Sequence, residues 1–326
     1  VPIVTISERV RFIESVFGVG NLARNSKNIE VRCPVCSPLD RSKKKLAIRV
    51  DDDRNHCWVC GWHAASLAPL IKKYSSQEKF NEYRQKFMPD WQKKRFSTTE
   101  EKVDKKAILP SDFCLLTTSR VDRDVGDMLK YLKERNVSKN DLWRYRLGIS
   151  DDRKLKRRII VPSFDSNGEL NYYVARAIDP NNKPKYVNPE IDRLTIIFNE
   201  IDIDWTKRVI LCEGTFDMFK CGDNTIPILG SELNERSILM NMILLNNTSV
   251  TLALDGDVWE TKTIKIAKKL AEYAIDVNVV DTRSFSDPGS ATKEQFNEAL
   301  LKATTMSWQD TFQIKLNRAS HMSMAI

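Results

Sequence analysis

No apolar run in the 326-residue sequence reaches the roughly 18 residues that a membrane-spanning helix needs. The first residues carry no basic, apolar, small-residue signal pattern. No Gly-x-x-x-x-Gly-Lys loop occurs, which excludes a phosphate-loop motor. The cysteines do not form a disulfide framework either. They number seven, an odd count, and four of them sit in two Cys-x-x-Cys pairs, the pattern of metal binding in a reducing compartment. These absences lead to the expectation of a cytoplasmic protein with no membrane partner. An apolar fraction of 41% is enough for two or three cored domains. Lys and Arg number 52 against 44 Asp and Glu, a formal charge of +8, which points to a polyanionic partner.

The chain is organised around residues 209–288. Three short apolar runs of strand length end in acidic turns: Glu213-Gly214-x-x-Asp217, Asp255-Gly256-Asp257 and Asp287-Pro288. Between them, Phe216–Cys221, Asn234–Asn246 and Thr261–Tyr273 read as helices. Strands alternating with helices imply parallel βαβ units, in which the carboxyl ends of the strands line the ligand crevice. Glu213, Asp255, Asp257 and Asp287 are therefore expected on one rim. A bare carboxylate cluster repels itself, and a divalent cation with oxygen ligands removes that cost. Such a rim suits phosphoryl chemistry.

Near the start, Ser7 reads as the cap of a helix carrying Val10, Phe12, Ile13, Val16 and Phe17. Cys33-Pro-Val-Cys36 and Cys57-Trp-Val-Cys60 follow, with 20 residues between them, a spacing that matches a four-thiolate zinc ribbon. Residues 45–50 read as a strand across which the two knuckles meet. His56 and His63 flank the second knuckle, and either is an alternative ligand. Trp58, Trp62 and His63 are candidates for stacking on splayed bases or for covering the ribbon core. Lys43, Lys44 and Lys45 are either phosphate contacts or a solvated turn.

Residues 75–88 carry Phe80, Tyr83 and Phe87 at helical spacing, and residues 92–106 read as a charged tether. Residues 124–136 read as a helix. A basic cluster ends at Arg157-Arg158, and two strands follow, joined by Asp165-Ser-Asn167-Gly168, a strong hairpin signal. Arg176 closes the second strand, ahead of Pro184-Lys185-Tyr186-Val-Asn188. Guanidinium groups chelate phosphate oxygens in a planar fork.

The acidic motifs together resemble the Toprim motifs of bacterial and tailed-phage primases of the DnaG type. The two knuckles resemble that family's N-terminal zinc-binding domain, here with Cys at all four positions: Cys33, Cys36, Cys57 and Cys60. Arg158, Arg176 and Lys185 match the family's pattern of cations that engage the nucleotide triphosphate and the template–primer. The likeness covers residues 33–63 and roughly 142–298. It departs at Asp287-Pro-Gly289, where bacterial members often carry Asp-Pro-Asp. Asp255-Gly-Asp257-Val also resembles the nucleophile motif of haloacid-dehalogenase-type phosphatases, a likeness confined to one motif.

The resemblance implies a multidomain α/β chain. A zinc ribbon (1–74) and a helical, flexible connector (75–110) precede a mixed α+β basic subdomain (111–205), a Toprim subdomain with a Rossmann-like parallel sheet (206–300) and a tail (301–326). It implies a DNA primase that makes short RNA primers on single-stranded DNA from ribonucleoside triphosphates. One structural Zn²⁺ is implied, with one to three catalytic Mg²⁺ or Mn²⁺ held by Glu213, Asp255, Asp257 and Asp287. The implied partners are a replicative helicase in trans and a single-stranded-DNA-binding protein, in a bacterial cytoplasm or phage-infected cell. Two alternatives stay open: a Toprim nuclease using the same carboxylates, and a non-catalytic zinc-dependent DNA-binding adaptor.

Overall fold

Thr5, not Ser7, caps the first helix, α1 (Ile6–Phe17): its hydroxyl accepts from Glu8 N–H while the Glu8 carboxylate accepts from Thr5 N–H. This reciprocal pair satisfies two donors at once and places Ser7 inside the helix. The structure is a computed structural model and describes residues 4–24, 26–36, 43–88, 106–118, 122–230, 232–283 and 291–305. Asp287 and Pro288, residues 92–105 of the charged tether and the tail from 306 lie outside the described residues.

The chain divides into two units: Val1–Glu101 with Met240–Thr248 and Lys269–Asp276, and Lys102–Leu239 with Ser249–Lys268 and Val277–Ile326. In the first, α1 accompanies an antiparallel sheet in simple sequence order: β1 (Asn21–Leu22), β2 (Asn28–Val31), β3 (Leu46–Arg49), β4 (Asn55–Cys57) and β5 (His63–Ala64). Ile29 and Val31 of β2, with Leu46 and Ile48 of β3, point inward at every second position, as one buried sheet face requires. Helices α2 (Ala68–Tyr74) and α3 (Gln77–Glu82), then a π turn at Tyr83–Phe87, complete the core. Phe80, Tyr83 and Phe87 are buried in it with Phe12 and Ile13. The Tyr83 hydroxyl donates to Asp53 Oδ2 at 2.8 Å. The helical stretch after residue 75 is thus part of the ribbon's own core, because its aromatic face has that apolar surface to cover.

The second unit holds two sheets. One is antiparallel in the order β10-β9-β8-β7-β6, with β6 (Cys114–Leu115), β7 (Gly148–Ile149), β8 (Arg158–Phe164), β9 (Leu170–Ala177) and β10 (Tyr186–Val187). The β8–β9 turn is the expected hairpin. Asp165 Oδ1 accepts from the N–H groups of Asn167 and Glu169, and Gly168 takes φ +80°, a region that favours glycine. Helices α4 (Arg123–Glu134) and α5 (Lys139–Arg144) precede β7. The second sheet runs β12-β11-β13-β14-β15, from β11 (Val209–Cys212), β12 (Thr225–Pro227), β13 (Val250–Ala253), β14 (Val277–Val279) and β15 (Thr304–Thr305). Its first four strands are parallel and β15 is an antiparallel edge. Helices α6 (Thr215–Cys221) and α9 (Lys293–Leu301) lie wholly within this unit, whereas α7 (Ile238–Asn246) and α8 (Ile264–Glu272) are divided between the two units. This is the expected mixed α/β architecture, with a small antiparallel ribbon sheet and a parallel Rossmann-like one. Among the described residues no helix is long and apolar enough to cross a membrane.

Candidate active site

Strand order decides where the acids meet. From β11 the chain passes to β12 on one side, then returns to β13 on the other, so β11 and β13 flank a topological switch point. Loops diverge there and open a crevice at the carboxyl ends. Cys212 pairs in register with Ala253, and Glu213 and Asp255 lie one and two residues beyond that pair. Both line a cleft of about 350 Å³ together with Gly214, Thr215 and Asp217. Asp217 does not point away from the loop: its Oδ2 accepts from Gly214 N–H at 2.8 Å and ties down the start of α6. Asp257 is exposed on the short turn at Gly256–Val258 and is not among the residues lining the cleft.

The opposite wall comes from the antiparallel sheet. Val174 and Arg176 of β9 alternate onto one face, and Tyr186 stands directly across from Arg176 on β10. Lys185, Asn188, Arg193 and Arg135 complete that wall. Arg176 is 6% exposed and is held on three sides. Its Nε donates to Tyr131 Oη at 2.6 Å and its Nη1 to Tyr186 Oη at 2.5 Å. Its guanidinium carbon lies 4.5 Å from the centre of the Phe216 ring. Burial pushes the Tyr186 hydroxyl above its ordinary range, with Arg176 pulling the other way, so Tyr186 remains a neutral hydroxyl. One cleft therefore has a carboxylate wall facing a cationic wall in which Arg176 is held fixed.

Arg158 is not on that wall. It is 2% exposed; its Nε donates to the Lys154 carbonyl, its Nη1 to the Lys185 carbonyl and its Nη2 to Asn182 Oδ1. A buried guanidinium spends its donors on nearby carbonyls because leaving them unmet is costly. Arg158 thus shapes the loop that carries Lys185. Its neighbour Arg157 is bound by three carboxylates, of Asp179, Asp124 and Asp127. Arg193 donates to the Leu229 carbonyl.

The acidic wall suits an oxygen-loving cation. Glu213 Oε2 and Thr215 Oγ1 are buried with no hydrogen-bond partner among the described residues, a state that costs free energy unless something else binds them. The zinc-type site can be tested by distance. Four sulfurs each about 2.3 Å from one ion stand about 3.8 Å apart. Cys33 and Cys60 Sγ are 3.9 Å apart, as are Cys36 and Cys57 Sγ, and all four lie within 4.8 Å of one another. Neither His56 nor His63 joins this group among the described residues. Trp62 is committed to the ribbon, its Nε1 donating to Asn55 Oδ1 at 2.9 Å, whereas Trp58 is 70% exposed between two of the sulfur ligands.

No family model matches the chain. It is 24% identical over 271 residues to the DNA primase of Enterobacteria phage T4, an alignment spanning 75% of this chain and 74% of that one. It is 32% identical over 138 residues to the DNA primase of Mycoplasma pneumoniae, spanning 39% of this chain and 22% of that protein. The RNA polymerase domain of Mycobacterium tuberculosis primase DnaG matches its fold over 70% of this chain and 86% of that one, with a TM-score of 0.50 at 14% identity. These likenesses support a DnaG-type primase.

Several residues in and behind the cleft carry no local signal in the sequence. Tyr131 lies 45 residues before its partner Arg176. Arg135 follows Tyr131 by one helical turn and stacks on its ring at 5.2 Å, so the two share one face at the end of α4. That i, i+4 spacing was the one readable cue. Arg193 reaches the cleft, and Phe216 backs Arg176 from behind it, only through the packing of the two sheets.

Proposed function

We propose that the chain synthesises short RNA primers on single-stranded DNA, by template-directed nucleotidyl transfer from ribonucleoside triphosphates. The observation that carries this reading is the pairing of Arg176 and Lys185 with Glu213 and Asp255 across one cleft. Metal-assisted hydrolysis of a phosphodiester needs no triphosphate pocket, whereas transfer from a triphosphate is served by a cationic wall facing the acids.

In this reading Glu213 and Asp255, together with Asp257 and Asp287, hold Mg²⁺ or Mn²⁺. When bound, the metal neutralises phosphate charge and lowers the pKa of the attacking 3′-hydroxyl. The chain's own residues do the rest. Arg176 and Lys185 take the phosphates, and Tyr131, Tyr186 and Phe216 keep the Arg176 fork in one orientation, so no ordering cost falls on the bound nucleotide. Arg158 acts through the Lys185 carbonyl as a positioning residue. Cys33, Cys36, Cys57 and Cys60 hold Zn²⁺, and the exposed Trp58 stacks on a template base. A replicative helicase and a single-stranded-DNA-binding protein are the partners proposed from the family resemblance.

The test uses purified protein, single-stranded templates of varied sequence, Mg²⁺ or Mn²⁺ and labelled ribonucleotides, with products sized on a denaturing gel. Short RNAs that vanish with Asp255→Ala, and lose template selectivity with Trp58→Ala or Cys57→Ser, are expected. Shortened DNA without RNA would establish the nuclease instead.

A further inference from the structure

Glu213 does not face the cleft alone. Lys262 Nζ donates to Glu213 Oε1 at 2.9 Å, with both side chains about a quarter exposed, while Glu213 Oε2 is buried and meets no donor among the described residues. Lys262 comes from the π turn at Trp259–Thr263, just after the Asp255-Gly-Asp257 motif and just before α8. A π turn carries one residue more than an α turn and re-aims the side chains around it, and such turns concentrate at functional sites. Here the turn brings an ammonium to the same carboxylate that a divalent cation needs.

We propose that Lys262 is an internal competitor for the catalytic cation and a ligand for the nucleotide's phosphates, so that metal and nucleoside triphosphate enter together. The inference rests on the metal-rim reading above. An ammonium within hydrogen-bond distance of Glu213 and a divalent cation on the same oxygen repel one another over a few ångströms. Metal alone therefore binds weakly, because Lys262 must first leave Glu213. A triphosphate brings several negative charges into the cleft, and Lys262 then exchanges a carboxylate oxygen for a phosphate oxygen. Each ligand removes part of the other's cost, so metal and nucleotide strengthen one another reciprocally. Between rounds, Lys262 holds the Glu213 carboxylate in place without a metal.

Mn²⁺ binding to the full chain, followed by electron paramagnetic resonance without nucleotide, tests this directly. Wild type, Lys262→Met, Lys262→Arg and Asp255→Ala are compared, each checked for matching zinc content and melting temperature. Lys262→Met is expected to bind Mn²⁺ about fivefold tighter or more at the Asp255-dependent site. Lys262→Arg, which keeps the cation, should bind as wild type does. Adding a non-hydrolysable nucleoside triphosphate should tighten Mn²⁺ in wild type more than in Lys262→Met. Unchanged or weaker Mn²⁺ binding by Lys262→Met, with the Asp255-dependent site intact, overturns the inference alone. Absence of any Asp255-dependent Mn²⁺ signal in every protein overturns the metal-rim reading and the inference with it.

Discussion

Arg176 and Tyr186 are directly opposed across β9 and β10, and the Arg176 Nη1 donates to the Tyr186 hydroxyl at 2.5 Å. The hydroxyl keeps the guanidinium from turning away from the cleft. Tyr186→Phe retains the ring and the strand pairing but removes that acceptor. It is expected to raise KM for the nucleotide about 2- to 10-fold, the worth of one net hydrogen bond, with little change in melting temperature. Arg176→Lys should cost more, because an ammonium cannot satisfy Tyr131, Tyr186 and a phosphate in one planar fork. Steady-state kinetics on both variants separate the effects: an unchanged KM in Tyr186→Phe would remove the positioning role.

The zinc-type site carries a prediction about folding. Cys33 and Cys57 are buried in the core of the first unit alongside Ile29, Leu46 and Phe12, so the sulfur cluster and the apolar core are one structure. Binding of a structural zinc ion is worth about 10–16 kcal/mol in small zinc domains, far more than so short a sheet gains from burial. Chelation should release one zinc per chain and abolish the transition of this unit in a thermal melt. The transition of the second unit should persist. Cys36→Ser should act in the same direction more weakly. Metal analysis beside calorimetry reads both, and a first-unit transition that survives complete zinc loss would contradict the assignment.

How far the sequence reaches depends on the range of the signal. The Asp165–Gly168 turn and strands β8 and β9 are written in adjacent residues, and so are the acids that end β11 and β13. Those features follow from alternation and turn chemistry alone. The first helix cap needed one finer rule: Thr5 with Glu8 three residues on, rather than Ser7. The cationic wall was only half legible. Arg157 and Arg158 are adjacent and chemically identical, yet one is bound by three carboxylates and the other is sunk against backbone carbonyls. Their fates depend on Asp124 and Lys185, 33 and 27 residues away. Lys262 was invisible for a similar reason: the π turn shifts its phase, and no helical spacing places it at Glu213, 49 residues earlier.

Lys220 is 2% exposed in the last turn of α6, and its ammonium donates to the Asn136 carbonyl at 2.7 Å, tying α6 to the turn just after α4. Burial is the main cause that pulls its pKa down to about 8, helped by Lys293 and opposed by Asp141. The unfolded chain keeps the ordinary value of 10.5. Below pH 8 both states are charged and the cost of the buried charge is present in full. Between about 8 and 10.5 the native state sheds the proton while the unfolded state keeps it, so the unfolded state binds more protons and stability rises with pH. Lys220→Met lacks this titration. The wild-type stability minus that of Lys220→Met, from urea denaturation at pH 7 to 10, should therefore rise by on the order of 1 kcal/mol per pH unit above pH 8. A flat difference would place the proton elsewhere.

Arg157 joins three segments of the second unit. Its Nε and Nη2 meet the two oxygens of Asp179 at 2.6 and 2.8 Å, and its Nη1 meets Asp124 and Asp127 on α4 at 2.6 and 3.0 Å. It does so from a left-handed backbone, φ 55°, immediately before β8. Arg157→Ala would leave three carboxylates close together with no cation between them. Because the side chains are partly exposed, solvent screens the loss, and about 1–3 kcal/mol is the expected destabilisation. Arg157→Lys should recover part of it, since the charge returns without the bidentate fork. The sign with pH follows from Asp179, whose carboxyl is held below its ordinary range chiefly by hydrogen bonding to Arg157. A depressed carboxylate contributes stability above its unfolded value and loses it as the pH falls through the folded one. The gap between wild type and Arg157→Ala should therefore be full at neutral pH and close in acid, below the ordinary Asp range. Salt should narrow it at every pH, because the network is reached by solvent. Denaturation midpoints at neutral and acidic pH, at low and high salt, read all three dependences. A gap that stays constant into acid would mean that Arg157 acts through its backbone conformation and not through its charge.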